Sequence, residues 1–355
     1  MKLLLYTIPF VFFSLTPAVF AQDGKENKQI AKDKVEPETQ VVTGYEVTKI
    51  KVRDSIFLLK GKGGNVAVQM GKEGILVIDS QFEASAPEII KTIQQVSNRP
   101  IKFLINTHHH GDHTGGNGYM NNLGITTIAQ ERVRQRIIEK ENEAYIKEQK
   151  KAYEDYLKEA ENKGLSDEKA KQGAKEILQE MEANLKGSEL LPTITFGDNL
   201  SFYFNNDKVI AFHVHNAHTD GDVMIFFSNS NVIHTGDAFV QGGYPFIDTA
   251  NGGTLDGYMK GLSRIMMMAD EETKIIPGHG NLATREDVSY SYKMLEYLKN
   301  SISYHRINKK TEDEVVAMKD ITKDFDAKGF GKGFISSEKI VRTIYQEVAK
   351  RYPWK

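Results

Sequence analysis

The chain has 355 residues, of which 40% are hydrophobic, and its formal net charge is −2. That hydrophobic content is ample for a large core in one or two domains, and the near-zero charge gives no electrostatic basis for binding nucleic acid or an anionic membrane. Because cysteine is absent, disulfides, a thiol nucleophile and a thiolate metal site are excluded, so any metal must be held by the ten histidines and the carboxylates.

Residues 1–21 are typical of a secretory signal peptide. A lysine starts the segment, an apolar run follows, and Val19 and Ala21 are the small residues that signal peptidase prefers. A membrane anchor is the alternative, but two prolines interrupt the run and it is short for a membrane span. We therefore expect cleavage after Ala21, a periplasmic or secreted protein without a stable membrane anchor, and a disordered polar tail over 22–43.

Short apolar runs bounded by glycine, asparagine and aspartate begin at Gly44 and predict strands. The predicted strands cover 46–52, 55–60, 65–69, 75–78, 101–105 and 125–129, and one helix covers 84–96. The run at 101–105 is apolar apart from Lys102, which favours a largely buried strand.

The segment 131–187 is different, because it is densely charged and has an apolar stripe at helical spacing. Gly164 suits a helix end and Ser166 the next helix start, so the pattern predicts an inserted helical hairpin. A solvated helical excursion is the favoured interpretation. A partner-binding or substrate-gating arm is the alternative.

The second half repeats the first in outline. Strands are predicted at 200–204, 209–214, 223–228, 232–235 and 274–276, with helices at 255–268, 284–307 and 311–352. Two β-rich halves, each followed by helices, predict an α/β fold built as a four-layer αββα sandwich. We expect a catalytic domain over 44–308, with the helical hairpin inserted in it, and a C-terminal helical extension over 309–355.

A histidine-rich cluster follows the apolar strand at 101–105. Its ligand-type residues are His108, His110, Asp112 and His113, in a loop that ends as a helix opens near Thr114. An exposed histidine tag is the alternative, but this run is internal and continues into an aspartate. The pattern therefore predicts a metal site, with His109, out of phase, either supporting a ligand or on the surface.

Three later residues follow the same pattern of apolar strand, tight turn and ligand-type side chain. They are His218, Asp237 and His279, and each lies close to glycine or another turn residue. Singly, each is more typical of a turn or a satisfied core group. Together they favour convergence at one sheet edge. His213 and His215 are alternative ligands, although core or supporting roles are favoured.

These residues resemble the metallo-β-lactamase superfamily over roughly residues 44–305. The family motif His-x-His-x-Asp-His matches the first cluster in full, and the later single ligands match in order. By that resemblance, two zinc ions are bound. One is held by His108, His110 and His218, the other by Asp112, His113 and His279, and Asp237 bridges both.

The resemblance also implies the chemistry. The two metals share a water as hydroxide, which attacks a carbonyl, and no serine or cysteine nucleophile is needed. Asp112 is the expected catalytic carboxylate, which orients or deprotonates that nucleophile. Asp79 and Thr107 are expected to support the ligands without binding metal.

The substrate is less constrained. Asp237 stands where true β-lactamases place cysteine or serine and matches the bridge of glyoxalase II enzymes, and the lysine that anchors a lactam carboxylate in one subclass is missing after it. The segment 242–248 resembles that of exported lactamase-like hydrolases, and its Tyr244 and Phe246 are predicted to line a pocket for a small molecule. Packing onto the core is the alternative for both rings.

The favoured hypothesis is a hydrolase of a small amide or ester, with β-lactams and lactones among the candidates. The alternative is a non-catalytic protein that binds zinc and uses the helical insertion to bind an unknown protein partner. A complete two-metal ligand set favours the hydrolase, because such a set is hard to explain without chemistry.

Overall fold

The computed structural model describes residues 45–162, 168–169, 172–173, 176 and 187–351. The predicted signal peptide and polar tail lie outside these residues, as does most of the second half of the predicted hairpin. Among the described helices, none is long and apolar enough to cross a membrane.

The first sheet has seven strands in sequential order. They are β1 (Thr48–Arg53), β2 (Ile56–Lys60), β3 (Val66–Gly71), β4 (Gly74–Ile78), β5 (Ile101–Ile105), β6 (Thr126–Gln130) and β7 (Ile194–Phe196). Strands β1 to β4 pair antiparallel and β4 to β7 pair parallel. The predicted strands are confirmed except for β7, whose three residues are too few to show a period.

The second sheet has five strands in the order β12-β11-β10-β9-β8. They are β8 (Asn199–Phe204), β9 (Asp207–His213), β10 (Val223–Phe227), β11 (Val232–His234) and β12 (Lys274–Ile276). Neighbours pair antiparallel, except that β11 and β12 are parallel. The carboxyl ends of β11 and β12 therefore meet at one edge.

Helices cover the outer faces of both sheets. They are α1 (Ala86–Gln94), α2 (Gly111–Thr114), α3 (Asn117–Asn122), α4 (Glu131–Glu141), α5 (Glu143–Asn162), α6 (Leu255–Met268), α7 (Arg285–Ile307), α8 (Glu312–Ala317), α9 (Lys323–Asp326) and α10 (Ser337–Arg351). Helices α4 and α5 are the part of the predicted insertion that the structure describes.

Alternate residues along single strands enter different cores. In β4, Leu76 and Ile78 face the second sheet, whereas Ile75 and Val77 pack with helices α1 and α3. A strand buried on both faces reads as a continuous apolar run, which is the pattern at 75–78. The second sheet is likewise covered by α6, α7 and α10. The predicted four-layer α/β sandwich is confirmed.

The segment that follows α7 packs into the core beside the second sheet. Val315, Phe330, Ile340 and Ile344 are buried in the same apolar cluster as Leu298 of α7. This packing fixes the loop between α9 and α10, which reaches the edge of the sandwich that carries the histidine cluster.

Candidate metal centre

The histidine cluster lies at the carboxyl end of β5. His108 and His110 are in the connecting loop, whereas Asp112 and His113 are in the single turn of α2. The helix expected from Thr114 begins earlier, at Gly111. The reason is that the amides of His113 and Thr114 both donate to the His110 carbonyl, at 3.0 Å.

The later ligand candidates come from loops of the second sheet. His218 lies between β9 and β10, Asp237 lies in the short 3₁₀ turn Gly236–Ala238 after β11, and His279 follows β12. The Val223 amide donates to the Thr107 carbonyl at 2.7 Å, which ties the loops of the two sheets together. All seven candidates therefore meet at one edge.

Two glycines allow this convergence. A β-carbon at Gly64 would lie 2.1 Å from the His113 ring, and one at Gly278 would lie 1.9 Å from Asp237 Oδ1. These distances are below any van der Waals contact, so the backbone approaches the ligands where only glycine fits. Between them, the Asn65 amide donates to the Gly278 carbonyl at 2.7 Å.

The first group consists of His108, His110 and His218. Their ring nitrogens all lie within 4.8 Å of one another, and His218 Nε2 is 2.9 Å from His110 Nδ1. The other nitrogen of His218, Nδ1, donates to the Phe246 carbonyl at 2.7 Å. That bond fixes the tautomer and leaves the Nε2 lone pair facing the group.

The second group consists of Asp112, His113 and His279, again with ligand atoms within 4.8 Å. His279 Nε2 is 3.1 Å from Asp112 Oδ2, and His113 Nε2 is 3.4 Å from His279 Nε2. His113 is fully buried, whereas the side chain of His279 is 42% exposed. This group is therefore the more open of the two.

Asp237 lies between the groups. Its Oδ1 is 3.2 Å from His113 Nε2 and 3.5 Å from His279 Nε2, while its Oδ2 is 3.7 Å from His218 Nε2. Each oxygen thus faces a different group, which is the position a bridging carboxylate takes.

Asp79 and Thr107 support the ligands in the way the sequence predicted. Asp79 Oδ2 accepts a hydrogen bond from His113 Nδ1 at 2.7 Å and another from the Thr107 hydroxyl at 2.8 Å. Thr107 Oγ1 is in turn 3.0 Å from His108 Nδ1. With Nδ1 donating in both rings, the Nε2 lone pairs of His108 and His113 face inward.

Asp248 plays the same part for His110, and sequence reasoning missed it. Asp248 Oδ2 accepts from His110 Nε2 at 2.9 Å, so the Nδ1 lone pair of His110 is free. Burial alone would raise the Asp248 pKa, but the bonds from His110 and Asn251 hold it well below its usual range. The available signal was an aspartate closing the segment 242–248, which the sequence reasoning had used only for its aromatic residues.

The donor set fits divalent metal ions. His108 Nε2 is buried with no hydrogen-bond partner among the residues that the structure describes, and Asp237 Oδ1 is buried without hydrogen-bond geometry to its histidine neighbours. Unpartnered buried polar atoms are costly in a folded protein. Imidazole nitrogens with free lone pairs, beside carboxylates, are the ligands zinc prefers.

Burial and neighbouring charges hold the ligands in binding-competent states. Burial lowers the pKa of His218 to about 4 and, with nearby rings, keeps that of His108 well below its usual range. Burial opposes ionisation of Asp237, but His113 and His279 hold its pKa well below normal. Against the effect of burial, the Asp237 carboxylate raises the pKa of His279 to about 9. The centre therefore attracts positive charge.

A cavity of about 690 Å³ opens beside the ligands. Its lining includes Asp112, Asp237 and His279, and also both aromatic residues predicted for the pocket, Tyr244 and Phe246. Phe246 stacks on the His110 ring with centroids 5.8 Å apart. The predicted wall therefore adjoins the centre directly.

Part of the cavity wall comes from a segment that the sequence left without a role. Gly333, Phe334 and Ile335, in the loop before α10, complete the lining. Tyr244 is mostly buried and its hydroxyl donates to Asp326 at 2.9 Å, so this residue links the pocket segment to the C-terminal elements.

The remaining histidines do not join the centre. His109 is buried, not on the surface, and burial lowers its pKa to about 3. His213 and His215 form a separate group with Asp198, in which the two rings are 4.1 Å apart. His234 supports the Asp237 turn, since its Nδ1 accepts from the Gly236 amide at 3.2 Å.

The sandwich and its convergent histidine and aspartate clusters define an α/β protein with a metal-site-like centre at the sheet edge. A family model described as the metallo-beta-lactamase superfamily matches residues 60–279. The chain belongs to the metallo-β-lactamase superfamily.

Two solved structures show similar folds. A metallo-beta-lactamase from Pontibacter korlensis is 14% identical and has a TM-score of 0.51, over 71% of this chain and 99% of that one. A stereoselective inverting sec-alkylsulfatase from a Pseudomonas species is 15% identical and has a TM-score of 0.62, over 86% of this chain and 50% of that one. Identities this low establish the shared fold alone.

Proposed function

We propose that the protein is an exported, dinuclear zinc hydrolase that cleaves a small ester or amide. One observation carries the proposal: two groups of ligand-type side chains share Asp237 and open onto one cavity. A structural metal site would be closed, whereas catalytic sites leave a position open to substrate.

The residues divide between two ions as the resemblance implies. The first ion takes His108, His110 and His218, the second takes Asp112, His113 and His279, and Asp237 lies between them. Zinc ions bound here would supply Lewis-acid polarisation of a carbonyl and a nucleophilic water with lowered pKa.

Asp112 is the side chain placed to handle protons. Its carboxylate lines the cavity and is hydrogen-bonded to His279. Burial opposes its ionisation, but bonding to His279 and the charge of His113 lower its pKa. An ionised carboxylate at neutral pH accepts a proton from the attacking water and can return it to the leaving group. Water is thereby added across the scissile C–O or C–N bond.

The cavity wall limits the substrate to a small molecule with an apolar part. Phe246 stacks beside His110, and Val240, Phe334 and Ile335 extend the apolar surface. Lactones, linear esters and β-lactams all present a carbonyl of suitable size. The lysine missing after Asp237 disfavours the lactams that one subclass of β-lactamases anchors by their carboxylate.

The test combines metal analysis with a hydrolysis panel. The purified mature protein is assayed for zinc, iron and manganese, then for turnover of esters, lactones, β-lactams and a secondary alkyl sulfate. We include the sulfate because one structurally similar protein is a sec-alkylsulfatase. Two zinc ions per chain and chelator-sensitive turnover are expected.

The variant Asp112→Asn should abolish turnover while the fold survives. Asp54→Asn, at an exposed turn between β1 and β2, is the matched control and should keep full activity. Retained turnover in Asp112→Asn would contradict the mechanism. Bound zinc with no turnover on the whole panel, and a co-purifying protein lost on deleting 131–187, would favour the non-catalytic alternative.

Export is tested separately. Cell fractionation and N-terminal sequencing of the mature protein should find it outside the cytoplasm and beginning at Gln22. A product that retains residues 1–21 in the cytoplasm would refute this part of the proposal.

A further inference from the structure

The mouth of the cavity carries large aromatic side chains that are open to solvent. Phe82 is 41% exposed and Phe334 is 79% exposed, and both line the cavity. Isolated apolar residues on a surface are common, but these two share one cavity with Phe246 and Ile335. A ligand with an apolar body would cover them and gain the free energy of their removal from water.

A cation lies beside this aromatic wall. Lys339 Nζ is 4.5 Å from the Phe334 ring centroid and 4.9 Å from that of Phe246. Contacts with two ring faces hold the ammonium group in place at the wall. Among the residues that the structure describes, no carboxylate lies within ion-pair distance of Lys339, and the nearby Glu338 instead pairs with Arg342.

The charges that line the cavity are otherwise committed to the metal centre. The only acidic residues in the lining are Asp112 and Asp237, both ligand candidates. A second cation, Lys140, approaches near Gly111, where its Nζ is 3.5 Å from the position a β-carbon would take, although it also lies 3.8 Å from Glu141. The mouth therefore favours negative charge on a ligand.

We propose that the substrate is an anionic amphiphile, and that Lys339 selects it by binding its negative group. This inference rests on the proposed hydrolase function. The apolar body lies along Phe246 and Phe334, while the ester or amide carbonyl faces the metal ligands. A carboxylate, sulfate or sulfonate would serve as the anion, since each accepts charge-assisted hydrogen bonds from an ammonium group.

The geometry sets where the negative group must be. Phe246 separates the two ends: its ring stacks on His110 at 5.8 Å and contacts Lys339 at 4.9 Å. The ammonium group is therefore no farther from the His110 ring than these two distances laid end to end. A substrate must carry its anion several bonds from the scissile carbonyl, across the width of one aromatic ring.

Two matched esters test the inference. The first is the mono-4-nitrophenyl ester of adipic acid, which carries a distal carboxylate, and the second is neutral 4-nitrophenyl hexanoate. We expect Lys339→Met to lower kcat/KM about five-fold for the anionic ester, through KM, and to leave the neutral ester unchanged. Lys339→Arg should retain the preference, and Lys339→Glu should reverse it.

Lys350→Met is the control, because Lys350 is an exposed lysine on the same helix and pairs with Glu347. It should change neither ester. Equal losses on both esters in Lys339→Met, or no loss on either, would overturn the inference. If the wild-type protein hydrolyses neither ester, the proposed function fails on these substrates, and a binding measurement then decides the inference separately.

That measurement compares octane-1-sulfonate with octan-1-ol by calorimetry on the zinc-loaded protein. A sulfonate is a weak ligand for zinc, so its affinity reports chiefly on the wall. We expect the sulfonate to bind about five-fold more weakly to Lys339→Met than to wild type, and octanol to bind both equally. Equal sulfonate affinity in the two proteins would refute a role for Lys339.

Discussion

The metal centre and the outer wall of the cavity are built in opposite ways. His108 and His113 are fully buried, and both are tied through hydrogen bonds to one buried carboxylate, Asp79. Phe334, at the far side of the same cavity, is 79% exposed and no hydrogen bond can hold its ring. The difference separates two tasks. Ligands that perform chemistry must be fixed in geometry, whereas a wall that selects substrates can vary.

The wall nevertheless has one anchor of its own. Asp326 accepts hydrogen bonds from the hydroxyls of Tyr244 at 2.9 Å, Ser337 at 2.6 Å and Thr322 at 2.8 Å. These bonds connect the pocket segment to the loop that carries Phe334. Disturbing either region should therefore have separable effects, on metal content for the centre and on substrate affinity for the wall.

The largest effect is expected from His110→Ala. This change removes one of three ligands from the first group and the ring on which Phe246 stacks. We expect bound zinc to fall from two ions towards one and kcat/KM to fall by about 10³-fold or more, because the nucleophile and the carbonyl polarisation both depend on the metals. Elemental analysis and single-substrate kinetics measure both. A variant with full zinc and full activity would show that His110 is not a ligand.

Asp79→Asn should have the next largest effect. The amide cannot accept equally from His113 and Thr107, so two ligands on different ions lose their orientation. Changing such a supporting residue typically costs about 10–100-fold in metal affinity or activity. Zinc affinity is measured by competition with a chromophoric chelator.

Asp248→Asn sharpens the same test. It supports His110 alone, so it should weaken zinc binding less than Asp79→Asn and mainly at one of the two ions. A larger loss in Asp248→Asn than in Asp79→Asn would contradict the view that Asp79 organises both groups.

How far the sequence could predict each region follows from the same contrast. The centre depends on short motifs at strand ends, so His108, His110 and His113 were readable from spacing alone. Asp248 was missed because its role depends on a loop folding back 138 positions to His110. Phe334 was missed for a similar reason, since no local pattern tells whether an exposed loop in a C-terminal extension meets a distant cavity.

Asp326→Ala should affect the wall and spare the centre. It leaves three hydroxyl groups without their common acceptor, at about 2 kcal/mol in the free energy of unfolding. We expect KM to rise several-fold while the zinc content stays at the wild-type level. Asp324→Ala, an exposed residue on the same short helix, is the control and should change neither quantity. Loss of zinc in Asp326→Ala would show that the two regions are not separable.

The smallest effect is expected from Phe334→Ala, and it isolates the wall most cleanly. Because the side chain is largely exposed, stability should change by no more than about 0.5 kcal/mol. Removing its apolar surface should raise KM about five-fold for 4-nitrophenyl hexanoate and leave 4-nitrophenyl acetate unaffected, since burying one methylene group contributes about 0.8 kcal/mol and only the longer chain reaches the ring. Phe334→Leu should restore most of the difference. Equal losses on both esters would mean that Phe334 acts on the metal centre, and the distinction between a fixed centre and an adjustable wall would fail at this residue.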